Sequence, residues 1–182
     1  MSAPRTDSHP DARSARPAFT IDVPAPADAP GLARVHVRGW EVAYGHALSG
    51  EEWFGEPAIA RRLEHWTRWL TPGTPEADEG SFRVGRDGDG VPVGLAASWA
   101  PSEAEPARER ELSVLYVLPE WHGTGMARAL VTALIGEEPA SLWVAEDNAR
   151  AQRFYEKLGF APDGVRRVDE QWPELPDLRM VR

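Results

Sequence analysis

Apolar residues recur along the chain with two different spacings, which predict an alternation of strands and helices. Short apolar or alternating runs bounded by glycine, proline or acidic residues are typical of strands. The predicted strands cover residues 19–23, 81–84, 91–99, 111–118, 141–145, 164–168 and 178–182. Residues 85–90 have the composition of a hairpin turn, and 71–80 are also turn-forming. A loop carrying Trp172 and Pro173 is predicted between the last two strands.

Apolar residues three and four positions apart predict about four helices. The first runs to residue 43, with Asp28 as its N-cap. Gly39 weakens this helix but leaves room for a close approach by another part of the chain. A loop and then a second helix are predicted within 44–70, and a third helix spans 126–135.

The last predicted helix has the clearest apolar face. It follows Asn148, a residue type that commonly caps a helix, and Gly159 is a natural residue for its end. Its apolar positions fall at i, i+3, i+4 and i+7, and they are Ala151, Phe154, Tyr155 and Leu158. Together with the strands, these helices predict an α/β protein with a mixed sheet.

The length of 182 residues suits a single domain, which we place at 18–182. Residues 1–17 are rich in Ala, Pro, Ser and Arg, and this composition predicts a disordered N-terminal tail. The apolar runs are too short to span a membrane, and the N-terminus lacks the apolar segment of a signal peptide. These observations predict that the protein is located in the cytoplasm and does not bind a membrane.

Charge and cysteine content exclude several kinds of chemistry. The formal charge of −9 argues against nucleic acid as a partner and suits a cationic small molecule better. The chain has no cysteine, so a thiolate zinc site and a cysteine nucleophile are excluded. The histidine spacing predicts no metal site.

Residues 113–128 read as a strand, a glycine turn and the start of a helix. Gly123 and Gly125 let several backbone N–H groups point at one place, and the helix start adds a partial positive charge, so the turn suits an anionic, phosphorylated ligand. A P-loop would need Lys and then Ser or Thr after its second glycine, but Met126 and Ala127 follow Gly125. A dinucleotide fingerprint would need a small residue where Arg128 stands.

The turn resembles motif A of the GCN5-related N-acetyltransferases, the GNAT family. That motif reads Gln/Arg-x-x-Gly-x-Gly/Ala, and His122, Gly125 and Ala127 occupy its fixed positions, His122 being the departure. A second stretch, 148–160, resembles the family signature Asn-x-x-Ala-x-x-Phe-Tyr-Glu-Lys-x-Gly-Phe. The resemblance implies a mixed central sheet of about six to seven strands with splayed central strands, flanked by about four helices.

The resemblance also implies a site for acetyl-CoA as the acyl donor, without a metal. The turn would hold the pyrophosphate, and the open strand edge would pair with the pantetheine arm. The residues implied for this role are Leu115, Tyr116, Val117, His122, Gly123, Thr124, Gly125, Met126, Ala127, Arg128 and Asn148.

The catalytic residues implied by the resemblance are Tyr155, which would give a proton to the departing thiolate, and Glu111, which would take one from the incoming ammonium. Helical spacing alone would equally fit a core tyrosine, and Glu111 alone would fit a solvated strand end. His36 and His46 are rivals for the base because imidazole titrates near neutrality.

The predicted reaction is transfer of an acetyl group to a primary amine, by direct attack through a tetrahedral intermediate. Trp40 and Tyr44 are the predicted acceptor-binding residues. A small-molecule acceptor is favoured, while a protein N-terminus or a lysine remains an alternative. A non-catalytic acyl-CoA sensor is the alternative from a different class, and the resemblance leaves room for a homodimer.

Overall fold

A seven-stranded mixed sheet organises the protein. The structure is a computed structural model and describes residues 17–103, 105–169 and 172–182. The strands are β1 Thr20–Asp22, β2 Ser81–Arg86, β3 Pro92–Trp99, β4 Glu111–Val117, β5 Ser141–Ala145, β6 Ala161–Asp169 and β7 Trp172–Val181. Their order in the sheet is β1-β2-β3-β4-β5-β7-β6. All neighbours are antiparallel except β4 and β5, which are parallel.

Helices cover both faces of this sheet. They are α1 Ala29–Tyr44, α2 Glu51–Phe54, α3 Glu56–Trp69, α4 Pro75–Glu79, α5 Met126–Ile135 and α6 Ala149–Glu156. α5 packs in one hydrophobic cluster with Leu142, Phe160 and Met180. α1 and α3 pack in a second cluster, around Trp66 and Leu95. The predicted α/β class and splayed sheet are confirmed; α2 and α4 are short additions to the four longer helices.

Two predictions of local secondary structure need correction. Residues 71–80 hold α4, a short helix capped by Thr74, whose hydroxyl accepts from the Ala77 N–H. Trp172 and Pro173 belong to β7 and not to a loop. β5 pairs with β7 only over residues 177–181, so the prolines earlier in β7 take no N–H away from that ladder.

Asp28 stands at the N-cap position of α1, but its side chain does not cap the helix. Its carboxylate instead accepts from both Nη atoms of Arg86, at 2.8 and 2.7 Å, and from the Ala25 N–H. The ion pair holds the pKa of Asp28 below its usual value. The Asp28 side chain therefore pairs with a residue of β2, whereas the sequence predicts that it caps α1.

Gly39 allows the close approach that its position predicts. A Cβ on Gly39 would lie 2.4 Å from Cδ1 of Tyr116, so only glycine lets α1 lie against that ring. The predicted disordered tail covers residues 1–17, and all of it except Pro17 lies outside the described residues.

Candidate active site

The cleft of the molecule begins where β4 and β5 separate. Their pairing is recorded at Glu111 and Ser141 alone, supported by the Ser141 N–H, which donates to the Arg110 carbonyl at 2.9 Å. Ser113 is an extra residue in β4, because Ala97 pairs with Val114 while Ser98 pairs with Leu112. Such a bulge bends its strand, which directs β4 away from β5. Past this point a cavity of about 990 Å³ opens between the strands.

The glycine turn lies at one end of this cleft. Gly123 and Gly125 have φ values of 78° and 98°, and nothing lies within 4 Å of a Cβ built on either. In the described part of the chain, the N–H groups of Gly123, Gly125, Ala127 and Arg128 have no protein acceptor. Free N–H groups at a helix start form an anion site, and here they face open space.

Two residues of the turn support it without lining the cleft. The Thr124 hydroxyl donates to the Trp121 carbonyl at 2.7 Å and accepts from the Met126 N–H at 3.3 Å. The Met126 side chain is fully buried under β2 and β3, against Gly85 and Gly94. Thr124 and Met126 therefore fix the shape of the turn.

His122 ties the turn to the end of β4. Its Nε2 lies 2.8 Å from the Val117 carbonyl, which accepts when Nε2 carries the proton. Partial burial lowers the pKa of His122, and nearby Arg150 acts in the same direction. The imidazole is therefore neutral near pH 7 and links the turn to β4. Gln or Arg, the residues of the family motif at this position, would bring an amide or a positive charge instead.

The positive charge at this end comes from three side chains that line the cleft, Arg128, Arg150 and Lys157. Arg128 donates to the Lys157 carbonyl at 3.1 Å, which holds α5 against the end of α6. None of the three forms an ion pair with another described residue. Of the three, only Arg128 is predicted from the sequence for this role; Arg150 lies on α6 and Lys157 lies just past its end.

Helix α6 places Tyr155 in the wall of the cleft. Asn148 caps the helix as predicted, its Oδ1 accepting from the Ala151 N–H at 3.0 Å. Gln152 donates to the carbonyls of Ala145 and Glu146, which fixes α6 at the end of β5. The Tyr155 ring packs edge-on against Phe160 with centroids 6.0 Å apart. Burial raises the pKa of Tyr155, so its phenol keeps the proton at neutral pH.

All three tyrosines of the chain line this one cleft, since Tyr44 and Tyr116 join Tyr155 there. Burial raises the pKa of Tyr44 to about 12, and Asp177 adds to that shift. Burial raises the pKa of Tyr116 as well. Both predicted acceptor residues, Trp40 and Tyr44, therefore lie in the cleft, and the Tyr116 side chain joins them.

Glu111 lies at the closed end of the cleft, where β4 and β5 still pair. No ion pair of the described residues involves it. Its rival His36 is a core residue that is 4% exposed and packs 5.0 Å from the Tyr116 ring. Burial holds the pKa of His36 well below its usual value. His36 is not among the residues that line the cleft, and its role as a base stays a prediction from the sequence.

His46 does line the cleft, in an exposed ion pair with Asp147 at 2.7 Å between Nε2 and Oδ2. Two more residues that line the cleft, Asp147 and Asp177, are not predicted from the sequence, and Asp177 pairs with Arg167 at 3.1 Å. Asp147 follows the end of β5, a position where side chains of an open sheet commonly reach a ligand. Asp147 could have been predicted from its position after β5, whereas no local sequence feature indicates that Asp177 lines the cleft.

Within the described ranges, no group of three or more His, Asp or Glu side chains could hold a metal ion. A search of the same residues for a helix long and apolar enough to cross a membrane finds none.

Comparison with known proteins assigns the chain to a family. Residues 40–160 match the model of the Acetyltransferase (GNAT) family, a span that includes both motifs and most of the cleft. The chain belongs to the GNAT family.

Several relatives named as N-acetyltransferases resemble this GNAT protein in sequence. One from Methanocaldococcus jannaschii, described as uncharacterized, is 32% identical over 130 residues, covering 66% of this chain and 53% of that protein. A mycothiol acetyltransferase from Propionibacterium freudenreichii is 29% identical over 172 residues, covering 82% and 51%. An uncharacterized N-acetyltransferase from Mycobacterium tuberculosis is 46% identical over 65 residues, covering 32% and 42%. The GNAT chain thus spans about half the length of the curated relatives it matches.

Solved structures share the fold. The PaiA N-acetyltransferase from Thermoplasma acidophilum, in complex with coenzyme A, has a TM-score of 0.63 at 19% identity, covering 91% of this chain and 98% of that one. A Corynebacterium glutamicum structure described as histone acetyltransferase HPA2 and related acetyltransferase has a TM-score of 0.66 at 23% identity, covering 90% and 94%. At these identities the likeness establishes the GNAT fold alone.

Proposed function

We propose that this GNAT protein transfers an acetyl group from acetyl-CoA to a primary amine of a small molecule. The observation that carries the proposal is one cleft in which a turn with unpaired N–H groups and a protonated tyrosine face the same space. The turn supplies an anion site, and the tyrosine supplies a proton donor. Family membership makes coenzyme A the natural anion.

The residues present fit coenzyme A at both ends of its length. The free amides of Gly123, Gly125, Ala127 and Arg128 suit a pyrophosphate, and the cationic side chains around them add charge. The edge of β4 facing β5 is paired only at Glu111, so its backbone groups suit the amides of a pantetheine arm. When bound, acetyl-CoA supplies an activated acyl group for attack by an amine.

The chain then moves two protons. Tyr155 holds a phenolic proton at neutral pH and donates it to the leaving sulfur. Glu111 accepts a proton from the incoming ammonium, directly or through water. Free backbone N–H groups near Leu115 steady the charge that develops on the acyl oxygen.

The acceptor end of the cleft favours an amine of a small molecule. Glu111, Asp147 and Asp177 supply carboxylates there, and the rings of Trp40 and Tyr44 supply surfaces for a cation. The relative named as a mycothiol acetyltransferase adds support for a small-molecule acceptor.

Thiol release from acetyl-CoA tests the proposal directly. We expect release that depends on an added amine, and mass spectrometry should show the amine gaining one acetyl group. The same preparation is titrated with coenzyme A by calorimetry, which measures binding separately from turnover. Binding without release over a broad amine panel would favour the acyl-CoA sensor, and acetylation of peptides alone would favour a protein acceptor.

Replacing Glu111 with glutamine tests the base through the pH profile. Without a base, only the neutral fraction of the amine reacts, and that fraction is about 10⁻³ at pH 7.4 for a pKa near 10.4. We therefore expect kcat/KM to fall by about 10² at neutral pH, with the deficit shrinking as pH rises. Glu109→Gln, in the same charged run but exposed, is the control. A deficit that stays constant from pH 7 to 9.5 would mean that Glu111 only positions its neighbours.

A further inference from the structure

A second cavity of about 390 Å³ lies between α1 and the α2–α3 segment. Trp40 is a wall of both this cavity and the main cleft. Its lining combines aromatic and cationic side chains, and the full set is Val37, Trp40, Glu52, Trp53, Ala58, Arg61, Arg62 and His65. This composition differs from the acid-rich acceptor end of the cleft.

Arg62 is the unusual residue of this second cavity. It is half-buried, and its guanidinium lies 5.1 Å from the centroid of the Trp40 ring. Its recorded polar contact is Nη1 to His65 Nδ1 at 3.4 Å. Among the described residues, no carboxylate lies within ion-pair distance of it. Its charge is therefore partly removed from water with no anion beside it.

Other partly buried arginines have closer partners, which are backbone carbonyls for Arg108 and Arg182 and carboxylates for two more. Arg86 and Arg179 have side-chain exposures of 20% and 14%, and each contacts two carboxylates. A shielded cation without a partner costs free energy, so a fold keeps one where something else supplies the anion. Arg61 cannot be that partner, and its own guanidinium contacts the Glu52 carbonyl.

The position of Arg62 connects it with the reaction space. Its charge acts on Tyr116, which lines the main cleft, and Trp40 lines both cavities. An acceptor in the cleft that extends past the edge of the Trp40 ring would bring its far end to Arg62. The stacked rings of Trp40 and Trp53, with centroids 6.3 Å apart, give its middle an apolar surface.

Building on the proposed acetyl transfer, we propose that the acceptor is an amine that also carries a carboxylate, which Arg62 binds in the second cavity. The planar guanidinium matches a carboxylate with two parallel hydrogen bonds. The guanidinium of Arg62 balances a single negative charge. Glu52 lines the same cavity, and its carboxylate would repel a doubly charged phosphate. The substrate class is then ω-amino acids, whose amine is far enough from the carboxylate to be directed toward Glu111 and Tyr155.

The test is a set of matched acceptors. β-Alanine, 4-aminobutyrate and 6-aminohexanoate are each compared with the corresponding carboxamide, in which the charge is absent. We expect the carboxylates to have kcat/KM values at least about tenfold higher, and Arg62→Gln to raise their KM by about 10- to 100-fold while kcat changes less than about threefold. The carboxamides should be indifferent to the substitution, and Arg62→Lys should recover part of the loss.

Arg68→Gln is the control, because Arg68 is an exposed α3 residue paired with Glu76. Circular dichroism and the melting temperature establish that each variant is folded. Wild type that acetylates amines with no preference for a carboxylate, or an Arg62→Gln loss shared equally by the carboxamides, would overturn the proposal.

The inference is also separable from acetyl transfer itself. If no acceptor is acetylated, the same three amino acids are titrated by calorimetry into the protein saturated with coenzyme A. Binding that Arg62→Gln weakens at least about tenfold would retain the carboxylate site without the reaction. Heats that are absent in wild type, or equal in wild type and variant, would reject the site.

Discussion

Replacing Gly125 with aspartate is expected to abolish coenzyme A binding while the protein stays folded. A side chain at this position would project into open space beside the free amides of the turn, so a carboxylate would stand where the pyrophosphate should bind. Two unit charges 4 Å apart interact with about 4 kcal/mol at an effective dielectric of 20, which corresponds to about 10³ in affinity. Isothermal titration with coenzyme A measures the loss.

Gly125→Asn is the matched control because asparagine has the shape of aspartate without its charge. Both residues tolerate the left-handed region better than other side chains do, and Gly125 has φ 98°. The difference between the two variants therefore isolates the charge. An Asp variant that binds coenzyme A as tightly as the Asn variant would locate the diphosphate site elsewhere.

Removing the Tyr155 hydroxyl is expected to reduce turnover by at least about tenfold, since general acids typically contribute about 10² to 10⁴ in rate. Tyr155→Phe keeps the ring that packs on Phe154 and Phe160, so the fold and the cleft wall should persist. The affinity for acetyl-CoA should change little, because the lost group acts on the leaving sulfur. Steady-state kinetics and calorimetry on the same preparation separate the two quantities.

Tyr44→Phe supplies the comparison for this experiment. Tyr44 also holds its proton, with a pKa raised to about 12, but it lies on α1 with the predicted acceptor residues. We expect its loss to affect the KM for the amine more than kcat. Full activity in Tyr155→Phe with a large drop in kcat in Tyr44→Phe would reassign the proton donor to Tyr44.

The sequence was sufficient for features carried by short segments. The strand, glycine turn and helix of 113–135 form as predicted, because turn chemistry and apolar periodicity act within a few residues. The same is true of the Asn148 cap. Gly39 is a stronger case, since a single glycine in a helix indicated a close approach even though its partner, Tyr116, is far along the chain.

Features that depend on distant partners could not be predicted in this way. The Asp28 side chain has a local use as a cap, and only the fold shows that Arg86, 58 positions later, binds it instead. The ion pair of His46 with Asp147 joins residues 101 positions apart. Arg62 was equally hidden, because an arginine on an amphipathic helix is ordinarily solvated. Its lack of a carboxylate became visible only with its neighbours in place.

The pairing of Glu111 with Ser141 joins two halves of the sheet at a single position. One half is β1 to β4, the other is β5 to β7, and no other backbone pairing joins them within the described strands. They can therefore spread or close at the far margin without breaking a main-chain hydrogen bond between them. A molecule that bonds to the open edges of both β4 and β5 would bridge the two halves. Binding of the acyl donor would then also make the whole sheet more rigid.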